Sequence, residues 1–150
     1  MTEYFLDTSA LAKRYVNEIG SSWINNLVNP ASGNILTICD LTPIELFSLI
    51  ERRLREKRLD LATATTLRTG FLKHYRNEYI SIILEQPILI RARDLVTKYP
   101  LRPPDAIQLA CALEATRIFN MPIIFLCADN DLLLAAVAEG FVVDNPNLHP

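Results

Sequence analysis

Apolar and polar positions along this chain fall into blocks whose period switches between that of a strand and that of a helix. Residues 3–7 (Glu-Tyr-Phe-Leu-Asp) read as a short buried strand ending on a carboxylate, and Thr8 and Ser9 follow as N-caps for a helix over about 9–17. Ser21-Ser22 opens a second helix to about Val28, residues 30–34 form a loop, and 35–39 is a second strand. Thr42-Pro43-Ile44-Glu45 has the form of a helix start, with Thr as cap, Pro in the first helical position and Glu in the third; that helix runs to about Lys57. Over about 60–77, Leu61, Ala64, Leu67, Phe71 and Tyr75 recur at three- and four-residue spacing, which is one face of a helix. A third strand at 79–84, a helix at 88–98 ended by Pro100, and a helix from Pro103 to about Phe119 come next. Residues 123–127 are continuously apolar with a β-branched start, as in a strand covered on both faces. A helix over 129–138 with Gly140 past its end and a last strand at 141–143 close the pattern.

Strands alternating with helices predict an α/β fold, a parallel sheet with right-handed crossovers and helices on both faces. In such sheets ligands bind outside the carboxyl ends of the strands, where the strand order reverses. Asp7 ends the first strand and Asp129 follows the strand at 123–127, so if those strands are neighbours two carboxylates meet at one sheet edge.

The length of 150 residues suits one domain over 1–150 with a real core. No linker-like tract, internal repeat or apolar run of roughly 20 residues is present, and the start Met-Thr-Glu-Tyr lacks the features of a signal peptide. A cytoplasmic protein with no membrane association is expected. Cys39, Cys111 and Cys127 sit among apolar neighbours without a Cys-x-x-Cys pair or a nearby His, which reads as buried reduced thiols. His74 and His149 receive no catalytic role. A net charge of −2 excludes a protein that coats nucleic acid indiscriminately, so any such contact is local or made through a metal. The run 51–58 carries five basic residues. It is either a solvated helix end favoured by the dipole or a contact to an RNA backbone.

Four acidic positions fall at strand ends or first helical turns: Asp7, Glu45, Asp105 and the Asp129/Asp131 pair. Each has an ordinary structural reading. Glu45 completes a capping box with Thr42, Asp105 sits at a favourable helix N-terminus, and Asp129 is an N-cap. Asp7 is different, because a carboxylate closing an apolar strand is costly to bury alone. Taken together the acids would repel one another, with no Lys or Arg beside them in sequence, and a hard divalent cation resolves that conflict. Mg²⁺ takes oxygen ligands, keeps several waters and bridges carboxylates to phosphate. The absence of Cys and His from the set disfavours zinc.

Four segments carry a resemblance. Phe-Leu-Asp-Thr-Ser-Ala-Leu (5–11), Leu-Thr-Pro-Ile-Glu-Leu (41–46), Leu-Arg-Pro-Pro-Asp-Ala-Ile-Gln-Leu-Ala (101–110) and Leu-Cys-Ala-Asp-Asn-Asp-Leu-Leu (126–133) resemble the motifs of PIN-domain proteins, best of all the VapC-like toxins of type II toxin–antitoxin systems. Gly140-Phe141 and Asn145-Pro146 fit as well. The resemblance spans about 4–146 and implies a three-layer α/β/α fold with a parallel sheet of about five strands. It implies an endoribonuclease dependent on Mg²⁺ or Mn²⁺, with Asp7, Glu45 and Asp105 on the metal and Asp129 supporting the metal or orienting water. Ser9 matches a hydroxyl residue that hydrogen-bonds within the site, and Asp131 shares or yields the fourth acidic role. The implied partners are an RNA substrate, an antitoxin and a second copy of the chain. The antitoxin segment would lie in a groove near the helix at 9–17. Leu11, Tyr15, Val16, Ile19, Trp23, Ile24, Leu27 and Val28 either pack in the core or help to form that groove.

Three other readings compete. A haloacid-dehalogenase-type hydrolase needs a second Asp two residues after the first, where this chain has Ser9. A non-catalytic PIN-like binding module would be expected to have lost acids. A PIN nuclease in RNA processing without an antitoxin has the same site.

Overall fold

The computed structural model describes residues 1–150. Five parallel strands, β1 (Glu3–Leu6), β2 (Ile35–Cys39), β3 (Tyr79–Ile82), β4 (Ile124–Leu126) and β5 (Val142–Asp144), lie in the order β3-β2-β1-β4-β5. The chain starts at the centre and steps outward through β2 to β3. It then crosses to the other side of β1 to lay down β4 and β5. The order therefore reverses between β1 and β4, which pair in the register Tyr4–Ile124, Phe5–Phe125 and Leu6–Leu126. The two strands expected to bring Asp7 and Asp129 to one edge are neighbours.

Seven α-helices cover the sheet: α1 (Thr8–Leu11), α2 (Ser21–Leu27), α3 (Thr42–Arg55), α4 (Leu61–Asn77), α5 (Gln86–Lys98), α6 (Pro103–Phe119) and α7 (Asn130–Ala138). The period of two in the strands sorts side chains between two cores. Leu6, Ile38 and Leu126 face α1–α4, with Leu11, Leu46, Ile50 and Phe71 among the buried residues there. Phe5, Cys39 and Phe125 face α5–α7, with Leu95, Leu109 and Leu132. Phe5 and Phe125 stack at 5.6 Å between ring centroids. Each fully buried side chain of this size stabilises the fold by about 1.5–3 kcal/mol, so the strands that carry Asp7 and Asp129 rest on both faces against dry packing. No helix is long and apolar enough to cross a membrane.

The helix expected over 9–17 is shorter. Asp7, rather than Thr8 or Ser9, is the N-cap of α1, and the chain tightens at once into a 3₁₀ turn, Ala12–Arg14. Tertiary contacts take over from helix propensity there. Lys13 Nζ donates to the Ile19 carbonyl at 2.8 Å, Arg14 donates to Glu78 at 2.7 Å, and Ser21 Oγ donates to the Val16 carbonyl. Gly20 turns the chain at φ 87°, where a Cβ would lie 2.4 Å from the Pro146 carbonyl oxygen, so only glycine fits. Of the eight apolar residues in this region, Leu11, Val16, Ile24, Leu27 and Val28 are core. Trp23 stacks on His149 at 4.1 Å, and Ile19 is exposed. The three cysteines are free and buried, as expected.

Candidate active site

The carboxyl ends of β1 and β4 open into a cleft of about 800 Å³. Asp7 stands at its floor. The carboxylate is 4 % exposed, and its Oδ1 accepts from Ser9 Oγ at 2.7 Å and from the Ala10 backbone N–H at 3.0 Å. Burial nevertheless dominates over these donors and pushes its pKa up to about 6. Ser9 ties the two strand ends together, since its Oγ also accepts from the Ala128 backbone N–H at 2.9 Å. Cys127 packs against it, with Sγ 3.7 Å from Ser9 Oγ. Burial, then the nearby charge of Asp7, raises the Cys127 thiol far above its usual range, which leaves it an inert packing group.

Glu45 reaches the cleft from the first turn of α3. The capping box expected with Thr42 does not form. Leu41 occupies the N-cap position in a helical conformation with no side-chain cap, and Thr42 is already the first helical residue. Thr42 Oγ1 instead lies 3.0 Å from Thr8 Oγ1. Glu45 Oε1 accepts from Thr8 Oγ1 at 2.9 Å and from Gln108 Nε2 at 2.8 Å. The acid is thus turned away from its own helix end and toward α1 and α6.

Asp105 lies in the first turn of α6 and lines the same cleft. Burial pushes its carboxyl above the usual range, Arg102 pulls it down, and the charge of Asp129 raises it further. The linear sequence suggests no cation beside these acids. In the fold Arg102, one helical turn before Asp105, places Nε 3.3 Å from Asp105 Oδ2. The spacing of three residues was visible, and the non-helical Arg-Pro-Pro entry hid it. Lys13, Arg52 and Arg53 also line the cleft, so its acidic floor has basic walls.

Asp129 lines the cleft and also caps α7, where its Oδ1 accepts from the backbone N–H groups of Asp131 at 2.9 Å and Leu132 at 3.2 Å. The N-cap reading of this residue is therefore realised by a side chain that also lines the cleft. Asp131 is exposed and is not among the residues lining the cleft. Sequence reasoning missed Thr8, Thr42 and Gln108. The available signal was Gln108, a polar residue inside the apolar run Ala-Ile-Gln-Leu-Ala-Cys-Ala and one turn after Asp105.

No three Asp, Glu, His or Cys side chains converge into a ready-made metal cage. The donor set still suits Mg²⁺ or Mn²⁺, which are held by one or two carboxylates with waters and substrate phosphate, and not by an all-protein cage. Asp7 and Asp105 are both acids whose charge the protein alone disfavours. A cation near them removes that cost.

Known proteins give the same picture of the fold. No curated protein sequence matches the chain. Among solved structures, the VapBC2 structure from Rickettsia felis, bound to a DNA fragment from its promoter, has a chain similar at TM-score 0.63 and 13 % identity. That match covers 96 % of this chain and 98 % of that one. The Mycobacterium tuberculosis VapC20 toxin, which cleaves the sarcin–ricin loop, matches at TM-score 0.63 and 16 % identity, over 98 % and 99 % of the two chains. A toxin–antitoxin complex from Klebsiella pneumoniae matches at TM-score 0.55 and 20 % identity, over 95 % and 97 %. The model of the PIN domain matches residues 4–139, and the chain belongs to the PIN-domain family.

Proposed function

We propose that this protein is an endoribonuclease dependent on Mg²⁺ or Mn²⁺ and the toxin of a type II toxin–antitoxin pair, active as a single domain over 1–150. The observation that carries the reading is the gathering of Asp7, Glu45, Asp105 and Asp129 around one open cleft at the point where strand order reverses. On this reading Asp7, Glu45 and Asp105 hold the cation and Asp129 supports it or orients water, with Ser9 fixing Asp7. Asp131 contributes its backbone N–H to Asp129 and no carboxylate to the reaction. When bound, the cation supplies a water of lowered pKa and neutralises charge on the scissile phosphate. The chain's own work is to fix the carboxylates around the cleft, where the charge of Asp7 and Asp105 is costly until a cation offsets it, and to admit a phosphodiester between basic walls.

Kinship in fold with the VapC20 toxin and with the Klebsiella pneumoniae complex supports the toxin reading. An antitoxin segment bearing Lys or Arg would satisfy the acidic floor and compete with the metal. A homodimer in the cytoplasm completes the reading. Purified protein incubated with RNA is expected to cleave with Mg²⁺ or Mn²⁺ and to stop with EDTA, and cleavage that persists after chelation overturns the mechanism. Expressed alone in cells the chain is expected to arrest growth, with rescue by its partner. Harmless high-level expression and a monomeric purified protein together remove the toxin and dimer assignments.

A further inference from the structure

Gln108 is 1 % exposed in the middle of α6, one turn after Asp105. Its amide nitrogen reaches three acceptors: Glu45 Oε1 at 2.8 Å, Thr8 Oγ1 at 3.1 Å and Thr42 Oγ1 at 3.1 Å. Its own carbonyl oxygen is buried with no partner. Buried polar atoms are almost always satisfied, so an orphan beside a functional cleft needs an explanation. Rotating the amide by half a turn would place its carbonyl against Glu45 Oε1, acceptor facing acceptor. The orientation that serves Glu45 is the one that strands the carbonyl. A leucine or methionine at this point in an apolar helix would strand nothing, so packing does not call for a glutamine here.

The hydroxyls extend the same logic. Thr8 donates to Glu45 Oε1, which leaves its oxygen free to accept from Thr42, and Gln108 gives one of its two amide protons to the carboxylate and shares the other between the two hydroxyls. One proton from Thr8 and one from Gln108 end on a single oxygen of Glu45, the Thr42 proton feeds that chain through Thr8, and bonds chained in this way polarise one another. The members come from α1, α3 and α6, the helices that begin at or carry Asp7, Glu45 and Asp105.

We infer that Gln108 is a positioning residue for the reaction: with Thr8 and Thr42 it pins Oε1 of Glu45, leaving Oε2 as the oxygen for a divalent cation. The inference rests on the metal-dependent reading above. Partners that orient metal ligands typically change metal affinity or activity by about 10–100-fold when removed.

The test is Mn²⁺ binding to the RNA-free protein by calorimetry, with cleavage kinetics and thermal melting alongside. Gln108→Met keeps the volume and removes the donor. It is expected to weaken Mn²⁺ binding about tenfold and to lower kcat, with an unchanged or higher melting temperature because the orphan carbonyl is gone. Thr42→Val, which keeps shape and loses only the hydroxyl, is expected to act in the same direction with a smaller effect. In a Glu45→Gln background Gln108→Met should cost nothing further, since its effect runs through Glu45. Mn²⁺ binding that is lost in Asp7→Asn and intact in both Gln108→Met and Thr42→Val overturns the inference and leaves the metal reading standing. Absence of Mn²⁺ binding in the parent overturns both.

Discussion

The two ends of β1 each bury an acid, and the two are not alike. At the amino end Glu3 is 2 % exposed, its Oε1 accepts only a long bond from Thr37 at 3.4 Å, and its Oε2 has no partner. At the carboxyl end Asp7 is almost as buried, yet it accepts two good hydrogen bonds and opens onto a cleft lined by three more acids of the predicted set. Burial raises the pKa of both. Desolvation of a carboxylate is therefore no mark of a site in this molecule. Convergence is the mark, and topology supplies it, because the strand order reverses beside the carboxyl end of β1.

The sharpest way to break this comparison is to remove one charge from each end. Asp7→Asn is expected to reduce RNA cleavage by about 10²-fold or more, the scale of losing one group that stabilises charge in a reaction. Glu3→Gln is expected to leave cleavage unchanged. Equal losses in the two variants would mean that the acids act through the fold and not through chemistry.

Stability should move the other way. Asp7 titrates near 6 in the fold against 3.8 ordinarily, so its folded pKa is raised. The native state then holds a proton that the unfolded chain has already lost between about pH 4 and 6, and metal-free stability falls as pH rises through that window. Above it the ionised side chain costs about 3 kcal/mol at most. Asp7→Asn keeps an oxygen for Ser9 and Ala10 and removes the charge. Its melting temperature at pH 7.5 without metal should exceed the parent's by about 5–10 °C, and the gap should close below pH 4. A variant that melts lower at pH 7.5 would show that the charge stabilises the fold.

Much of this was legible in the sequence, and the rest was hidden for identifiable reasons. Strand and helix periods located all five strands to within one or two residues: the inner strands β1, β2 and β4 are buried on both faces and read as apolar runs, and the edge strands β3 and β5 are short β-branched stretches between helices. Asp7 stood out as a charge at the end of an apolar strand. Glu45 did not, because the same four residues also spell a capping box, and only Leu41 entering the helix in αR conformation excludes that box. Gln108, Thr8 and Thr42 were invisible as a group, since their meeting spans 100 residues of sequence. Asp131 and Asp129 look equivalent in sequence. One sits in the cleft and the other outside because a cap residue and its second neighbour point in different directions.

Glu45 extends the comparison to an acid that is only half-buried. A capping role would leave Glu45→Gln near neutral, as Gln also closes a capping box. With no box present, the substitution is expected to lower metal-dependent cleavage about 10–100-fold while the melting temperature shifts by less than about 2 °C. Normal cleavage by this variant would return the residue to a structural role.

The smallest effect concerns the basic run at 51–58, where the fold separates residues that the sequence could not. Along α3, Glu45, Ser48, Leu49, Arg52 and Arg53 follow the spacing of one helical face, and all five line the cleft. Arg55 is exposed outside it, and Arg58 pairs with Glu56 at 3.6 Å between exposed side chains. An RNA strand entering between the acids would meet Arg52 and Arg53 at its backbone, where basic side chains position a substrate without reading its sequence. Removing one phosphate-binding arginine should weaken binding severalfold and reduce the slope of log affinity against log salt by about one. Arg52→Ala is therefore expected to show both changes, measured by RNA binding at several salt concentrations with Asp7→Asn as the inactive background. Arg55→Ala is expected to show neither. If the two variants behave alike, the run acts as a diffuse charged surface, and the carboxyl edge of the sheet is a site for chemistry without a built path for the strand.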